Sequence, residues 1–182
     1  MPTPERTTLA AIVGAAADLL EQDGLAGLTM QAVAGRVGVR APSLYKRVES
    51  RDHLLQLVAE ATLTELASRL ESASGAAEVA DGFRAFGHER PAAFQLVMTP
   101  GADIPSPRPE FGALASASIL RFGSALAGEE HGLEAARTLT AWVAGFVSME
   151  LNGRFELGGD VEAAWAFGRD RIVAALAAAR RD

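Results

Sequence analysis

One short segment groups the side chains that could do chemistry. Between Arg36 and Arg51, five basic residues stand against a single acid, Glu49. Ser43 and Tyr45 lie among them. Guanidinium, ammonium and hydroxyl groups are the donors that proteins direct at phosphate oxygens and at base edges in DNA. The segment is therefore a candidate for binding nucleic acid, and the alternative that its charge alone leaves open is a solvated surface.

The rest of the chain is acidic. Its 182 residues include 17 Lys and Arg and 23 Asp and Glu, for a net charge of −6. Residues 1–59 carry six basic and six acidic side chains, so the whole acidic excess falls in residues 60–182. This balance argues against a protein that coats nucleic acid, whereas a local basic spot on an acidic body is typical of a binder of particular DNA sites.

The elements that would position these groups are helices. Alanine, the best helix former, is abundant, and apolar residues recur at three-four spacing, which predicts an all-α fold of about nine helices. Four prolines within residues 99–109 predict an extended or mobile loop there. The expected helices span residues 5–22, 30–37, 42–48, 51–71, 76–88, 91–98, 110–127, 132–152 and 160–180.

The basic segment has the features of a helix-turn-helix. Thr29 is a good N-cap, Ala34 lets two helices cross closely, and Gly38 supplies the tight turn. The second helix would expose Ser43, Tyr45, Lys46 and Arg47. An ordinary helical hairpin is the alternative, and the cluster of basic and hydrogen-bonding groups on so short a helix speaks against it.

Residues 6–56 resemble the N-terminal domain of the TetR family of transcriptional regulators. The chain departs from the usual family pattern at Arg47, Val48 and Arg51, where His, Phe and Lys are common. The resemblance implies that Thr29, Tyr45 and Arg51 touch phosphates, and that Arg40, Ala41, Ser43 and Lys46 read bases, with Arg47 beside them. It rests on Ala16, Leu20, Gly24, Thr29, Val33-Ala34, Gly38-Val39, Ser43-Leu44-Tyr45 and Ser50-Arg51-Asp52-His53-Leu54.

Residues 141–155 are similar to the penultimate helix of a TetR subgroup whose ligand domain is named for a Trp-His-Gly motif. Ala144 stands where the His of that motif would fall, so any role of that His is absent. The resemblance implies a DNA-binding domain over residues 1–50, followed by a ligand-binding and dimerisation domain over residues 51–182.

Aromatic and sulfur side chains concentrate after residue 83. They would form ordinary core, or they would line a pocket for a mainly apolar molecule. Glu150 would favour a cationic or hydrogen-bond-donating ligand if it faced the pocket unpaired, and would say nothing if it faced solvent. The candidate lining is Phe83, Phe86, Phe94, Met98, Phe111, Trp142, Phe146, Met149 and Glu150.

The final helix carries an apolar stripe that predicts a homodimer through a four-helix bundle. The alternative is that the stripe packs only on its own subunit. The stripe consists of Val161, Trp165, Gly168, Ile172, Leu176 and Ala179.

The sequence thus predicts a cytoplasmic DNA-binding regulator. Most simply it is a homodimeric repressor that binds a palindromic operator and releases it when an apolar effector binds. The alternatives are a helical carrier or enzyme whose first helices are structural, and a regulator that needs no ligand. No catalytic motif, cofactor or membrane segment is expected. His53, His88 and His131 lack metal-site spacing, so no metal is expected either.

Overall fold

The protein is an all-α chain, as the sequence predicts. The computed structural model describes residues 8–101 and 103–181, apart from the side chain of Arg181, and these form nine α-helices and no strand. A final 3-10 turn covers Ala179–Arg181. The helices are α1 Leu9–Gly27, α2 Met30–Arg36, α3 Ala41–Leu44, α4 Arg51–Glu71, α5 Ala76–Glu89, α6 Pro91–Met98, α7 Pro109–Ala127, α8 Gly132–Leu151 and α9 Val161–Ala178.

The helix ends follow local signals, with two differences from the prediction. Helix α1 breaks at Gly24, where φ is +67°, but helical bonding resumes and carries it to Gly27. Its predicted start at residue 5 lies outside the described residues. Helix α3 ends at Leu44 instead of residue 48, and residues 45–47 continue as turns. Ser50 caps α4 by accepting from the His53 amide at 3.0 Å, and Asp160 caps α9 by accepting from the Glu162 amide at 2.8 Å.

The described residues form two compact units. Unit 1 lies within Met1–Thr62 and Arg90–Arg108, and unit 2 within Leu63–Glu89 and Pro109–Asp182. Helix α4 contributes residues to both units. The core of unit 1 is a cluster of aliphatic side chains from α1 to α4 and from α6. The functional division of the chain into residues 1–50 and 51–182 stays a prediction.

Two carboxylates bind the segment Arg90–Arg108 into unit 1. Glu21 of α1 accepts from the amides of Ala92 and Ala93 at 3.0 Å each, which satisfies the start of α6. Glu60 of α4 accepts from the Arg108 backbone amide at 3.1 Å and from its Nε and Nη2 at 2.9 and 2.8 Å. The proline-rich loop has no regular structure, as predicted, but its end is anchored.

The core of unit 2 is built from the second half of α4, from α5 and from α7 to α9. Phe83 and Phe86 are fully buried in it, and α7 and α8 contribute buried aliphatic residues such as Ile119 and Leu139. Helices α7 and α8 approach closely at Gly123, where a Cβ would lie 2.6 Å from the carbonyl oxygen of Gly132. The close contact between α7 and α8 therefore leaves no room for a side chain at position 123.

Among the described residues, no single helix is long and apolar enough to cross a membrane. Helices α7 and α8 meet that criterion only as a pair, and they are bent by 120° at their junction.

The contact at Gly123 predicts a position-specific loss of stability. We expect Gly123→Ala to lower the free energy of unfolding by about 1–3 kcal/mol, because the new methyl group meets backbone atoms that cannot swing aside. Gly112→Ala on the same helix is the matched control, since a Cβ there has no neighbour within 4 Å. It is expected to be neutral or to stabilise by up to about 1 kcal/mol. Thermal and urea unfolding measure both, and equal effects would contradict the prediction.

Candidate functional site

The turn between α2 and α3 has a hydrogen-bonded geometry that fixes how the two helices meet. After α2, the Val39 amide donates to the Ala34 carbonyl at 2.9 Å and the Gly38 amide to the Gly35 carbonyl at 3.2 Å. This pair of bonds is a Schellman motif, and it places Gly38 at a φ of +75°, where a Cβ would be strained. The Thr29 hydroxyl accepts from the Ala32 amide at 3.1 Å and fixes the other end of α2.

The segment after this turn presents its polar side outward. Leu44 and Val48 are fully buried in the core of unit 1 and anchor the segment to that core. Ser43, Lys46 and Arg47 are exposed, as is Arg40 at the start of α3. Tyr45 is 55% exposed, although large aromatic side chains are usually covered. The structure therefore brings five of the eight predicted DNA-binding residues onto one accessible stretch.

The other three predicted DNA-binding residues have additional structural contacts. Ala41 is half-buried against the core of unit 1. Thr29 is exposed but serves as the α2 cap. Arg51 is half-buried: its Nε donates to the Leu28 carbonyl at 2.8 Å and its Nη2 to the Leu25 carbonyl. Arg51 therefore ties the start of α4 to the end of α1.

The predicted ligand lining is divided between the two units. Phe94 and Met98 belong to unit 1, and the other seven residues belong to unit 2. Phe83, Phe86 and Phe94 are fully buried core side chains. Trp142 and Phe146 pack against Trp165 at ring-centroid distances of 4.7 and 5.1 Å. Phe111 is half-buried and Met149 is exposed. The rings of this set mostly fill space instead of lining it.

Glu150 is neither unpaired in a pocket nor turned to solvent. Its side chain is 6% exposed and accepts from Arg84 Nη2 at 2.5 Å and Nε at 3.0 Å, while His88 Nε2 lies 3.0 Å away. Burial alone would raise the pKa of Glu150, but the hydrogen bonds from Arg84 and His88 outweigh it, and the pKa is lowered. The expected preference for a cationic ligand therefore loses its basis.

A cleft of about 410 Å³ lies in unit 2 between α4 and α7, and we call it the α4–α7 cleft. Its wall combines small apolar residues with Ser68 and Ser118, and Glu71 and Arg121 also border it. The Arg121 guanidinium lies over the Phe122 ring, 4.6 Å from the ring centroid. This composition suits a molecule that is mainly apolar with a few polar groups.

The predicted dimer stripe of α9 contacts its own subunit. Trp165 is buried, and its indole N–H donates to Asp81 at 2.7 Å. A Cβ on Gly168 would lie 2.6 Å from the Trp142 ring. Val161, Ile172, Leu176 and Ala179 are half-buried. The opposite face of α9 is exposed, and it carries Ala163, Ala164, Phe167, Asp170, Arg171, Ala174, Ala175 and Ala178.

The three histidines have structural surroundings. His53 Nδ1 accepts from the Glu49 amide at 3.2 Å and helps to cap α4, and His131 precedes α8. His88 pairs with Glu150. Within the described part of the chain, no group of three or more His, Cys, Asp and Glu side chains could hold a metal ion.

Sequence reasoning missed the buried ion pairs. The one available signal was position: Glu60 stands between Ala59 and Ala61, within the apolar pattern of α4, as Glu150 does at the end of α8. A carboxylate at a buried helical position needs a partner. Nothing in the pattern identifies that partner as Arg108 or Arg84.

Both parts of the chain match known families. Residues 12–58 match the family model described as bacterial regulatory proteins, tetR family. Residues 76–172, more than half of the chain, match the one described as tetracyclin repressor-like, C-terminal domain. Neither description specifies the Trp-His-Gly subgroup, which stays a prediction.

Two curated relatives align with the N-terminal third. An HTH-type transcriptional regulator of Saccharopolyspora erythraea is 39% identical over 61 residues, which are 34% of this chain and 26% of the relative. The tetracycline repressor protein class A from transposon 1721, of Escherichia coli, is 43% identical over 54 residues, 30% of this chain and 25% of the relative. The alignments thus span about a quarter of each relative.

A solved structure extends the likeness of fold to nearly the whole chain. The regulatory protein SCO4313 aligns with 96% of this chain and 100% of its own, with a TM-score of 0.79 at 23% identity. At this identity the likeness concerns the fold. The two family matches carry the assignment: the chain belongs to the TetR family of bacterial transcriptional regulators, which are DNA-binding proteins and not enzymes.

Proposed function

We propose that the protein is a homodimeric repressor that binds a palindromic operator and releases it when a small molecule binds. The observation that carries the DNA-binding part is the exposed segment Arg40–Arg47, which Leu44 and Val48 anchor from beneath. The name of the E. coli relative, a tetracycline repressor, supports repression and a small-molecule effector.

The segment has the chemistry for the major groove. Lys46 and Arg40 can donate to guanine edges, and Ser43 can hydrogen-bond to more than one kind of base. The Tyr45 hydroxyl can donate to a phosphate. In a dimer, two such segments about 34–36 Å apart would meet successive major grooves on one side of the duplex. Arg51 would act chiefly by fixing the end of α1, since its guanidinium already donates to two carbonyls.

Substitutions at these residues should distinguish side chains that contact DNA from side chains that stabilise the fold. We expect Lys46→Ala to reduce discrimination against mismatched operators by roughly 1–3 kcal/mol while leaving thermal stability unchanged, because its side chain is exposed. Tyr45→Phe should weaken binding to all sequences alike. Arg51→Ala should lower the melting temperature, because two carbonyl groups lose their donor.

Selection from random DNA supplies the operator, and gel shifts over a salt series with thermal unfolding supply both readouts. Arg154→Ala, at an exposed arginine in the loop between α8 and α9, is the matched control for loss of a positive charge. Unchanged binding by Lys46→Ala and Tyr45→Phe together would remove this segment from the DNA interface.

For the dimer, we favour the exposed faces of α8 and α9. Ala141 and Gly145 on α8 allow close approach of a second helix, as the alanines of α9 do. Phe167 is 66% exposed among those alanines, although a phenyl ring of this size is normally covered. Pairing these faces across a two-fold axis would bury Phe167 twice.

Charge placed on that face should break the dimer. We expect Phe167→Glu to give a monomer in light scattering, because each of two carboxylates would be buried in the interface. Leu120→Glu on α7 is the control, since Leu120 is also an exposed apolar side chain but lies outside these faces. A dimeric Phe167→Glu protein would exclude this face of α9.

For the effector, we favour the α4–α7 cleft over the predicted aromatic lining. The cleft is open, whereas Phe83 and Phe86 are packed in the core of unit 2. Ala67, Leu114 and Ala117 supply apolar contact, and the side chains of Ser68 and Ser118 supply hydrogen bonds. These groups suit a mainly apolar molecule with one or two polar substituents.

Filling the cleft should abolish effector binding. A thermal-shift screen of hydrophobic amines, neutral aromatics and fatty acids identifies ligands, and hits are retested for release of operator DNA. We expect Ala117→Phe to lose the hits, whereas Ala113→Phe, on the exposed side of the same helix and outside the cleft, retains them. Hits that bind Ala117→Phe as well as wild type would place the effector elsewhere.

A further inference from the structure

A second cleft lies inside unit 1, among the helices that carry the DNA-binding segment. It has a volume of about 210 Å³ and is bounded by α1, by α6 and by the loop that follows α6. We call it the α1–α6 cleft. Leu20 and Leu96 form a buried apolar floor, and Ala92 contributes to the wall.

The rim of this cleft is mixed in character. Leu25 is 39% exposed there, so an apolar side chain of α1 lacks full cover. Gln95 and Thr99 add polar groups at the rim, and the Thr99 hydroxyl donates to the Gln95 carbonyl at 3.3 Å. The Gln95 side-chain amide can both donate and accept a hydrogen bond. An apolar floor with polar groups at the rim fits a molecule that is apolar at one end only.

The volume limits the size of the occupant. A cavity of about 150 Å³ lined by apolar side chains is large enough to hold benzene. A cleft of about 210 Å³ therefore accommodates a single ring with one short substituent, and it is too small for a drug-sized polycyclic molecule.

The walls of the cleft are held in place independently of any ligand. Glu21 fixes the start of α6 to α1 through the Ala92 and Ala93 amides. The Ile104 amide donates to the Gly101 carbonyl at 3.0 Å and closes the loop on the other side. A site that is already formed loses less conformational entropy on binding, which favours affinity for a small ligand.

We propose that the α1–α6 cleft binds a single-ring, mainly apolar molecule carrying one hydroxyl or amide group. The ring lies on Leu20 and Leu96, and its polar group bonds to Gln95 at the rim. The occupant covers Leu25, whose backbone carbonyl holds Arg51 at the start of α4. The site lies in unit 1 and is separate from the effector cleft of unit 2. The protein therefore has a second small-molecule binding site, in the unit that contains its DNA-binding segment.

The probe is benzyl alcohol, and no DNA is needed to detect its binding. We expect a rise in the melting temperature of the full chain of roughly 3–6 °C at ten times the dissociation constant. Ala92→Leu fills the cleft and should abolish the rise. Ala61→Leu makes the same change at an exposed position of α4 outside the cleft and should preserve it. Thr99→Leu fills the rim from an exposed position and serves if Ala92→Leu does not fold.

Localisation comes from para-bromobenzyl alcohol, whose bromine gives an anomalous signal in a crystal of the complex. The expected peak lies beside Leu96. Ala117→Phe, which fills the effector cleft, should leave the response to benzyl alcohol intact, so the two sites are tested separately. No binding, equal binding by Ala92→Leu, or a bromine peak outside unit 1 would each overturn the proposal.

Discussion

The pairing of Glu60 with Arg108 is the constraint on which the organisation of unit 1 depends. Glu60 is 3% exposed, and a carboxylate buried to that degree is destabilising unless it is bonded. The hydrogen bonds from the Arg108 side chain lower the pKa of Glu60, although burial alone would raise it. Because Arg108 ends the proline-rich loop, that loop must return to α4. Glu21 fixes the start of the same segment, so unit 1 includes α6 together with α1 to α3 and the first part of α4.

Local features of this fold could be predicted from the sequence because they depend on neighbouring residues. Thr29 and Gly38 act within a few positions of their own, and each takes the predicted cap or turn geometry. The ion pairs depend on residues that are distant in the chain. Glu60 and Arg108 are 48 residues apart and Arg84 and Glu150 are 66 apart, and several arginines could have served either acid equally well. Only the packing of the helices selects among them.

The aromatic residues show that a binding site, too, cannot be predicted from the sequence when it depends on how distant residues pack. Spacing places Phe83 and Phe86 on the inner face of α5, and an inner face can either border a cavity or fill it. The volumes of the opposing side chains decide between these outcomes, and those are known only after the helices are packed. Glu150 illustrates the point: it was a candidate for the pocket lining, and its bond to Arg84 of α5 makes it half of a buried ion pair instead.

The final helix, α9, shows how side-chain packing divides its apolar residues between the core and the surface of unit 2. Its larger apolar residues, Trp165, Ile172 and Leu176, form the stripe that is most visible in the sequence, and Trp165 is buried against its own chain. The remaining face combines five alanines with one exposed phenylalanine, and Asp170 and Arg171 lie on it as well. One side of α9 is covered by α5, α7 and α8, and the small side chains on the other side would let a second helix approach closely. The stripe of Trp165, Ile172 and Leu176 therefore packs within the subunit, whereas the alanines and Phe167 are left for the proposed dimer.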